Sequence, residues 1–462
     1  MPASDQHPEY EKYLPQWTVA RDCVEGSAAI KKKKTQYLPK PNPEDDSTEN
    51  DNRYKDYVER ANFVGFTSST MDGMVGMVFR KPIETELQQA IDYVEDNING
   101  GGLTLDQMAR SLVGNILQTG RYGLLADYPE ASEGLSVADV KTLDLRANIL
   151  PYRPESIINW HTEIVGSIKR LSMVVLKESA QEPLADGFKF EEKDRYRVLR
   201  LVDGLYVQEM YNEKDEIIST SEPRKADGSR WTEIPFVFVG AKNNDESVDK
   251  APLYDISTIN IAHYRNSADY EESSFMVGQP TPYIAGLTQG WVDNAMKGGV
   301  MLGSRNAWLL PVDGSAGLLQ ADPNQMPERG MELKEEQMIK LGARLIQDAG
   351  GNETAEAAKI RFAGQNSKLG TIVGNVEAAL IQCMEWMLVF MSGEGENLIE
   401  INKDFYERTA DPQMVIASIQ LLDRGVIAKS DLQDDLRSKG VIKQDRANED
   451  IDGEAEIINP IV

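Results

Sequence analysis

The chain has 462 residues, enough for about two to four domains, and its 41% apolar and 27% charged content is that of a folded polypeptide rather than a disordered one. Its formal net charge of −26 excludes a tight general DNA binder over the whole surface, because such affinity comes from neutralising phosphates with basic groups. Two cysteines, Cys23 and Cys383, exclude a disulfide framework and a thiolate-rich metal site, and point to a reducing site of synthesis.

The polar, acidic stretch Met1 to Pro15 carries no apolar signal segment. The most apolar run, Ala378 to Met391, is short and contains Glu385. A soluble intracellular product without a membrane span is therefore expected. Residues 1 to about 55 are polar, with a partly helical start followed by an extended loop, and the run Lys31–Lys34 reads as a solvated loop charge cluster, with a contact to nucleic acid or an acidic neighbour as the alternative.

Helices are expected from Arg53 to Phe66, continuing through Thr70 to Pro82, then from Glu84 to Asn97 and from Thr104 to about Thr119. The turn Gly120-Arg121-Tyr122-Gly123 leads into a short buried strand, Leu124 to Asp127. Strands follow at Asn148–Arg153, Ile168–Lys177, Tyr196–Val202, Tyr206–Asn212 and Ile234–Val239, with a hairpin at Asp203-Gly204. Together these make an α+β region of roughly 240 residues.

The pattern changes at Pro252. Leu253, Ile256, Ile259, His263 and Ser267 mark one face of a helix running to about Phe275. Val277 to Glu332 is rich in Pro and Gly, with short strands expected at Pro282–Ala285 and Ala307–Pro311. A second helix is expected from Leu333 to Ala349. After Gly350-Gly351, Asn352 caps a run of roughly forty residues to Met391, which as one helix spans roughly 60 Å. Leu369, Ile372, Val373, Val376, Leu380, Cys383 and Met387 form its apolar stripe, and Gly364, Gly370 and Gly374 are bend points. From Asp404 the acidic tail holds two short helices, the first opened by Asp411-Pro412 and ending near Gly425. The second has a Ser430/Gln433 capping box and stops at Gly440.

No phosphate-binding G-x-x-x-x-G-K-[ST] loop and no G-x-S-x-G elbow occurs; Gly314-Ser315-Ala316-Gly317 has the wrong spacing. His7, His161 and His263 lie far apart in sequence and lack ligand partners at motif spacing, so packed or hydrogen-bonded roles are expected for them. Glu271-Glu272 and Asp434-Asp435 read as solvated helix faces. The second tail helix carries Asp431, Asp434 and Asp435 against Arg437 and Lys439, which is wrong for a helix entering the DNA major groove. Neither catalytic residues, nor a metal site, nor a cofactor is expected.

The order of elements is specific: an α+β region ending in Ile234-Pro-Phe-Val-Phe-Val239 and an Asn243-Asn244 turn, a helix, a Pro/Gly-rich β insert, a returning helix, a Gly-Gly-Asn loop, a long helix and an acidic helical tail. This resembles the portal proteins, the head-to-tail connectors of tailed double-stranded-DNA bacteriophages. Arg60-Ala-Asn-Phe63, Gly76-Met-Val-Phe-Arg-Lys-Pro82, Leu117-Gln-Thr-Gly-Arg-Tyr-Gly-Leu-Leu-Ala-Asp-Tyr-Pro129, Asn352-Glu-Thr-Ala-Glu-Ala357 and Ser367-Lys-Leu369 are similar to a siphophage-type branch. The likeness covers roughly residues 50 to 455, and the N-terminal 50 residues match no family pattern.

The resemblance implies an N-terminal arm (1–52), an outward wing (53–250), paired stem helices (251–276 and 333–349) around a small β clip (277–332), a tunnel loop (350–359), a long bent helix (360–403) and a helical crown with an acidic tail (404–462). It implies a non-enzymatic ring of about twelve copies at one capsid vertex of the virion. Such a ring is assembled in the host cytoplasm with the major capsid and scaffolding proteins, docks the terminase large subunit and later the head-tail adaptor, and passes double-stranded DNA without reading it. Gly350, Gly351, Asn352, Glu353 and Thr354 would line the channel, with Lys359 and Arg361 touching phosphates or simply pairing on the helix surface. Trp291, Lys297, Arg305 and Trp308 would make clip contacts, with a neighbouring subunit or with terminase or adaptor, and packing within one subunit is the alternative for either tryptophan. The competing expectations are another neck or capsid protein, or an enzyme of phage DNA metabolism.

Overall fold

The computed structural model describes residues 2–129, 145–183, 187–278, 281–295, 310–319, 325–346, 368–405, 412–438, 442, 446–448 and 451. The chain is of the mixed α+β class and divides into two compact units, Met1–Ile401 and Asn402–Val462.

The residues expected as an arm are part of the core of the first unit. His7 and Pro8 open helix α1 (Pro8–Glu25). Tyr10, Trp17, Ala20 and Cys23 recur every three to seven residues, and this narrow stripe buries them. Helix α2 (Ser27–Lys32) and helix α3 (Thr48–Arg60) close over it, so that Cys23, Ile30, Leu38, Tyr54 and Tyr57 share one cluster with Ile261, Tyr264 and Ala268. The lysine run sits on α2 and the 3-10 turn after it rather than in a loop. Lys31 donates to the Glu59 carbonyl at 2.9 Å, and Lys33 lies 3.6 Å from Asp22.

The helix expected across Arg53–Phe66 is interrupted. Helix α3 stops at Arg60, and α4 runs Phe66–Val78. Distant side chains serve the backbone of the break, in which Ala61 and Phe63 are buried. Ser267 Oγ accepts from Asn62 N at 2.8 Å, and Asn260 donates to the Val64 carbonyl at 2.9 Å. The helix expected over Glu84–Asn97 is absent. Glu84–Glu86 is strand β1, and its antiparallel partner β12 (Leu398–Glu400) lies some three hundred residues away; Asp92–Glu95 is a 3-10 turn.

Helix α5 (Leu105–Thr119) carries a Thr104/Gln107 capping box and ends at Gly120, whose φ is +73°. It delivers the chain into β2 (Arg121–Asp127), the buried centre of an antiparallel sheet ordered β3 (Asn148–Tyr152), β2, β9 (Phe236–Gly240). A five-stranded antiparallel meander comprises β4 (Ile157–Val165), β5 (Ile168–Pro183), β6 (Phe190–Val202), β7 (Leu205–Tyr211) and β8 (Ile217–Ser221). The hairpin expected at Asp203-Gly204 is present, with both residues at positive φ as a two-residue primed turn demands. Strands β4 and β8 were not expected. The distal halves of β5 and β6 pair only with each other and alternate opposite charges, Glu182 with Lys193 (2.7 Å) and Arg195 (2.8 Å), Lys177 with Asp194 (2.6 Å).

Helix α6 (Tyr254–Gly278) and helix α8 (Met326–Ile346) pack together. Between them lie strands β10 (Thr281–Ala285) and β11 (Ser315–Leu319) and the short helix α7 (Gln289–Ala295). Of the strand expected over Ala307–Pro311, residues 307–309 lie outside the described residues, and Leu310 and Pro311 are not in a strand. The partner of β10 is instead β11.

The long helix is described as α9, Lys368–Met391; residues 352–367 lie outside the described residues. By length and composition α9 could cross a membrane. Its stripe Leu369, Ile372, Val373, Val376, Leu380, Cys383 and Met387 is instead buried, the helix packing on β9, β2 and α5. Asn375 and Asn244 clamp it: Asn375 donates to the Gly240 carbonyl at 2.8 Å, and Asn244 donates to the Asn375 carbonyl at 2.9 Å.

In the second unit, α10 (Pro412–Asp423) is closed by Gly425 at φ +69°. Helix α11 spans Lys429–Ser438. Its start is not the expected Ser430/Gln433 box. Ala428 N donates to Asp431 Oδ2 at 2.9 Å, and Gln433 is buried instead.

Candidate functional site

Helix α6 has two characters. In its first half Ile256, Asn260, Ile261, His263, Tyr264, Ser267 and Ala268 are buried at helical spacing, so this half is embedded among α1, α3 and α4. Beyond Ala268 no residue of α6 is buried. Polar anchors hold the exit point. Tyr57 Oη donates to Asp269 at 2.6 Å, while Glu272 pairs with Arg60 and lies 3.4 Å from Arg53, and the Arg60 guanidinium covers the Phe275 ring at 4.3 Å. Glu272 is therefore an ion-paired residue rather than the solvated one expected. The seven-residue spacing of Arg53 and Arg60, which puts both on one face of α3, was the available signal.

Helix α8 returns alongside. Gly330 of α8 faces the Asn266 side chain of α6. His263, 3% exposed, presents Nε2 to Glu335 of α8 at 3.2 Å, with Phe66 packed edge-on. Burial lowers the His263 pKa from its ordinary value and Glu335 opposes that, so at neutral pH an uncharged imidazole donates to the carboxylate.

The far part of this pair is unusually apolar for an exposed surface. Phe275 and Met276 on α6, Met326 on α8, and Tyr283, Leu318 and Leu319 on the hairpin all stand open to solvent, while Leu333 and Ile339 are exposed farther along α8. Among the described residues these two strands pair only with each other. A lone hairpin in water is marginal, so a surface of this kind needs a cover.

Of the expected contact residues, Trp291 lies on α7, half-buried, with its backbone N–H donating to the Thr288 carbonyl at 3.0 Å. Lys297, Arg305 and Trp308 lie outside the described residues, as do Gly350, Gly351, Asn352, Glu353, Thr354, Lys359 and Arg361. The histidines differ from expectation in one respect. His161 is bonded to Ser172 at 3.0 Å and His263 to Glu335, as packed roles require, but His7 and His161 line one cavity of about 310 Å³ together with Glu9 and Glu246. Among the described residues no three His, Cys, Asp or Glu side chains are placed to hold a metal ion. Both cysteines are free and buried; burial pushes the Cys23 thiol up to about 12 and raises Cys383 as well.

Residues 252–391, the span from α6 through α9, match a domain family described as a domain of unknown function (DUF4055). The match covers less than half of the chain. No curated protein matches. Among solved structures, a chain of the virion of a native gene transfer agent (GTA) particle is 16% identical, with 83% of this chain and 92% of that chain covered and a TM-score of 0.40. A chain from the neck of an empty GTA particle is 14% identical, with 88% and 94% covered and a TM-score of 0.40. A likeness of this degree does not establish a common fold.

Proposed function

We propose that this chain is a structural protein of a phage-like virion and, more specifically, its portal, a passive ring through which double-stranded DNA enters and leaves. The observation that carries the reading is the α6–hairpin–α8 unit, which leaves the core with apolar side chains open along both helices and on a sheet that has two strands among the described residues. Copies of the chain arranged head-to-tail would cover that surface, and a head-to-tail contact whose rotation closes makes a ring. The order of sequence elements supports the same assignment. The acidic charge suits a conduit that DNA must slide past, since carboxylates near the path repel phosphates over a screening length of about 8 Å. On this reading the chain is not an enzyme; a separate terminase supplies the motor and docks at the hairpin end, and the adaptor takes its place after packaging.

The test is electron microscopy of the purified protein with subunit counting by native mass spectrometry. Rings of about twelve copies around an open channel are expected. A compact closed oligomer without a channel, or metal-dependent DNA cleavage by the pure protein, would overturn the assignment.

A further inference from the structure

Residues before α1 are fastened across the meander sheet. Ala3 N donates to Asp215 Oδ1 at 2.7 Å, Asn159 Nδ2 donates to the Asp5 carbonyl at 3.1 Å, and His7 N donates to the Ile158 carbonyl at 2.9 Å. The strap ends in His7, which has two tasks. Its ring stacks on Trp160 of β4, centroids 3.9 Å apart and planes 20° from parallel. Its Nδ1 accepts from Glu9 N at 3.2 Å and so caps α1.

Beneath the strap lies an unusual group. The Arg121 guanidinium is held between the rings of Trp160 (3.9 Å) and Phe238 (4.0 Å), is 1% exposed, and none of its three nitrogens has a hydrogen-bond partner. The neighbouring cavity is lined by His7, Glu9, His161 and Glu246 together with Trp160.

We propose that residues 2–9 form a proton-sensitive strap, which neutral His7 latches over Trp160 and Arg121 and which lifts when His7 is protonated. The chemistry follows from the cap. Only the neutral imidazole can accept at Nδ1; the imidazolium carries N–H at both positions, loses the bond to Glu9 N and sets a cation against the positive end of α1. The groups facing His7 are Glu9 on α1, Arg121 on β2, His161 on β4 and Glu246 after β9, the last also engaged by Lys169 of β5. Burial lowers the His7 pKa most; Glu9 opposes this, and Arg121 and His161 add to it. With the folded value depressed, the latch is intact above the ordinary value of 6.5 and weakens as pH falls below it, because the released strap then binds protons that the docked strap does not.

The test is hydrogen exchange of the full chain at pH 7.5 and 5.5, corrected for intrinsic rates. Protection of residues 2–9 is expected to fall by about tenfold at the lower pH while the amides of α5 hold. His7→Asn retains a capping oxygen and a planar group without titrating, and is expected to remove the response. Unchanged protection in the wild type, or an equal fall in H7N, overturns the proposal. If H7N is open at both pH values, His161→Asn decides: a retained response upholds the assignment to His7, and a lost one overturns it.

Discussion

At Gly120 the backbone decides the side chain. Its φ of +73° disfavours any residue with a Cβ, and that atom would sit 2.5 Å from the Asp249 carbonyl oxygen, which is backbone and cannot swing aside. Gly120→Ala is therefore expected to cost about 2 kcal/mol or more, read as a lower urea midpoint at unchanged m-value. Arg121, next along, shows the opposite economy. Its charge is desolvated, which lowers its pKa to about 9, and it has aromatic rings for company but no acceptor. Replacing a buried arginine that holds an ion pair costs about 3–5 kcal/mol because the partner is stranded. Arg121→Met strands nothing, so its unfolding free energy is expected within about 1 kcal/mol of wild type by the same titration. Leu124 to Asp127 read correctly as a strand, but Arg121, Tyr122 and Gly123, expected in the turn, already belong to it. Nothing in the local sequence said that Arg121 would be buried with them.

Among the elements, the clearest failures have a common cause. The segment 84–97 carries helix-compatible spacing, yet Glu84–Glu86 becomes a strand because Leu398–Glu400 is there to pair with it. The gap between α3 and α4 exists because Asn260 and Ser267 of α6 satisfy its backbone. Propensity sums over neighbours in sequence, and these hydrogen bonds come from elsewhere. The clamp between α9 and the loop after β9 is of the same kind. Asn375→Ala removes its side-chain bond to the Gly240 carbonyl, and a loss of about 1–2 kcal/mol is expected in equilibrium unfolding. Elements that were legible, α5, the Asp203-Gly204 hairpin and the apolar stripe of α9, are those whose instructions are local.

For the whole molecule, the open apolar surface of the α6–hairpin–α8 unit makes assembly and stability separable. Leu319 is 68% exposed, so Leu319→Glu is expected to leave the melting temperature of the dissociated chain unchanged. The same change is expected to abolish rings in native mass spectrometry, because a carboxylate would be desolvated at the contact between copies. Unaltered rings would remove the hairpin from that contact. The sequence alone determined the α+β class, the acidic charge, the buried helix α9 and the order helix–insert–helix, because composition and short-period patterning carry these. Only the tertiary structure decided that the N-terminal segment belongs to the core, that Glu272 is paired, and that His7, His161 and Arg121 gather round Trp160. Those outcomes depend on which distant groups meet when the chain closes, and a pattern read along the chain holds no record of contacts made across it.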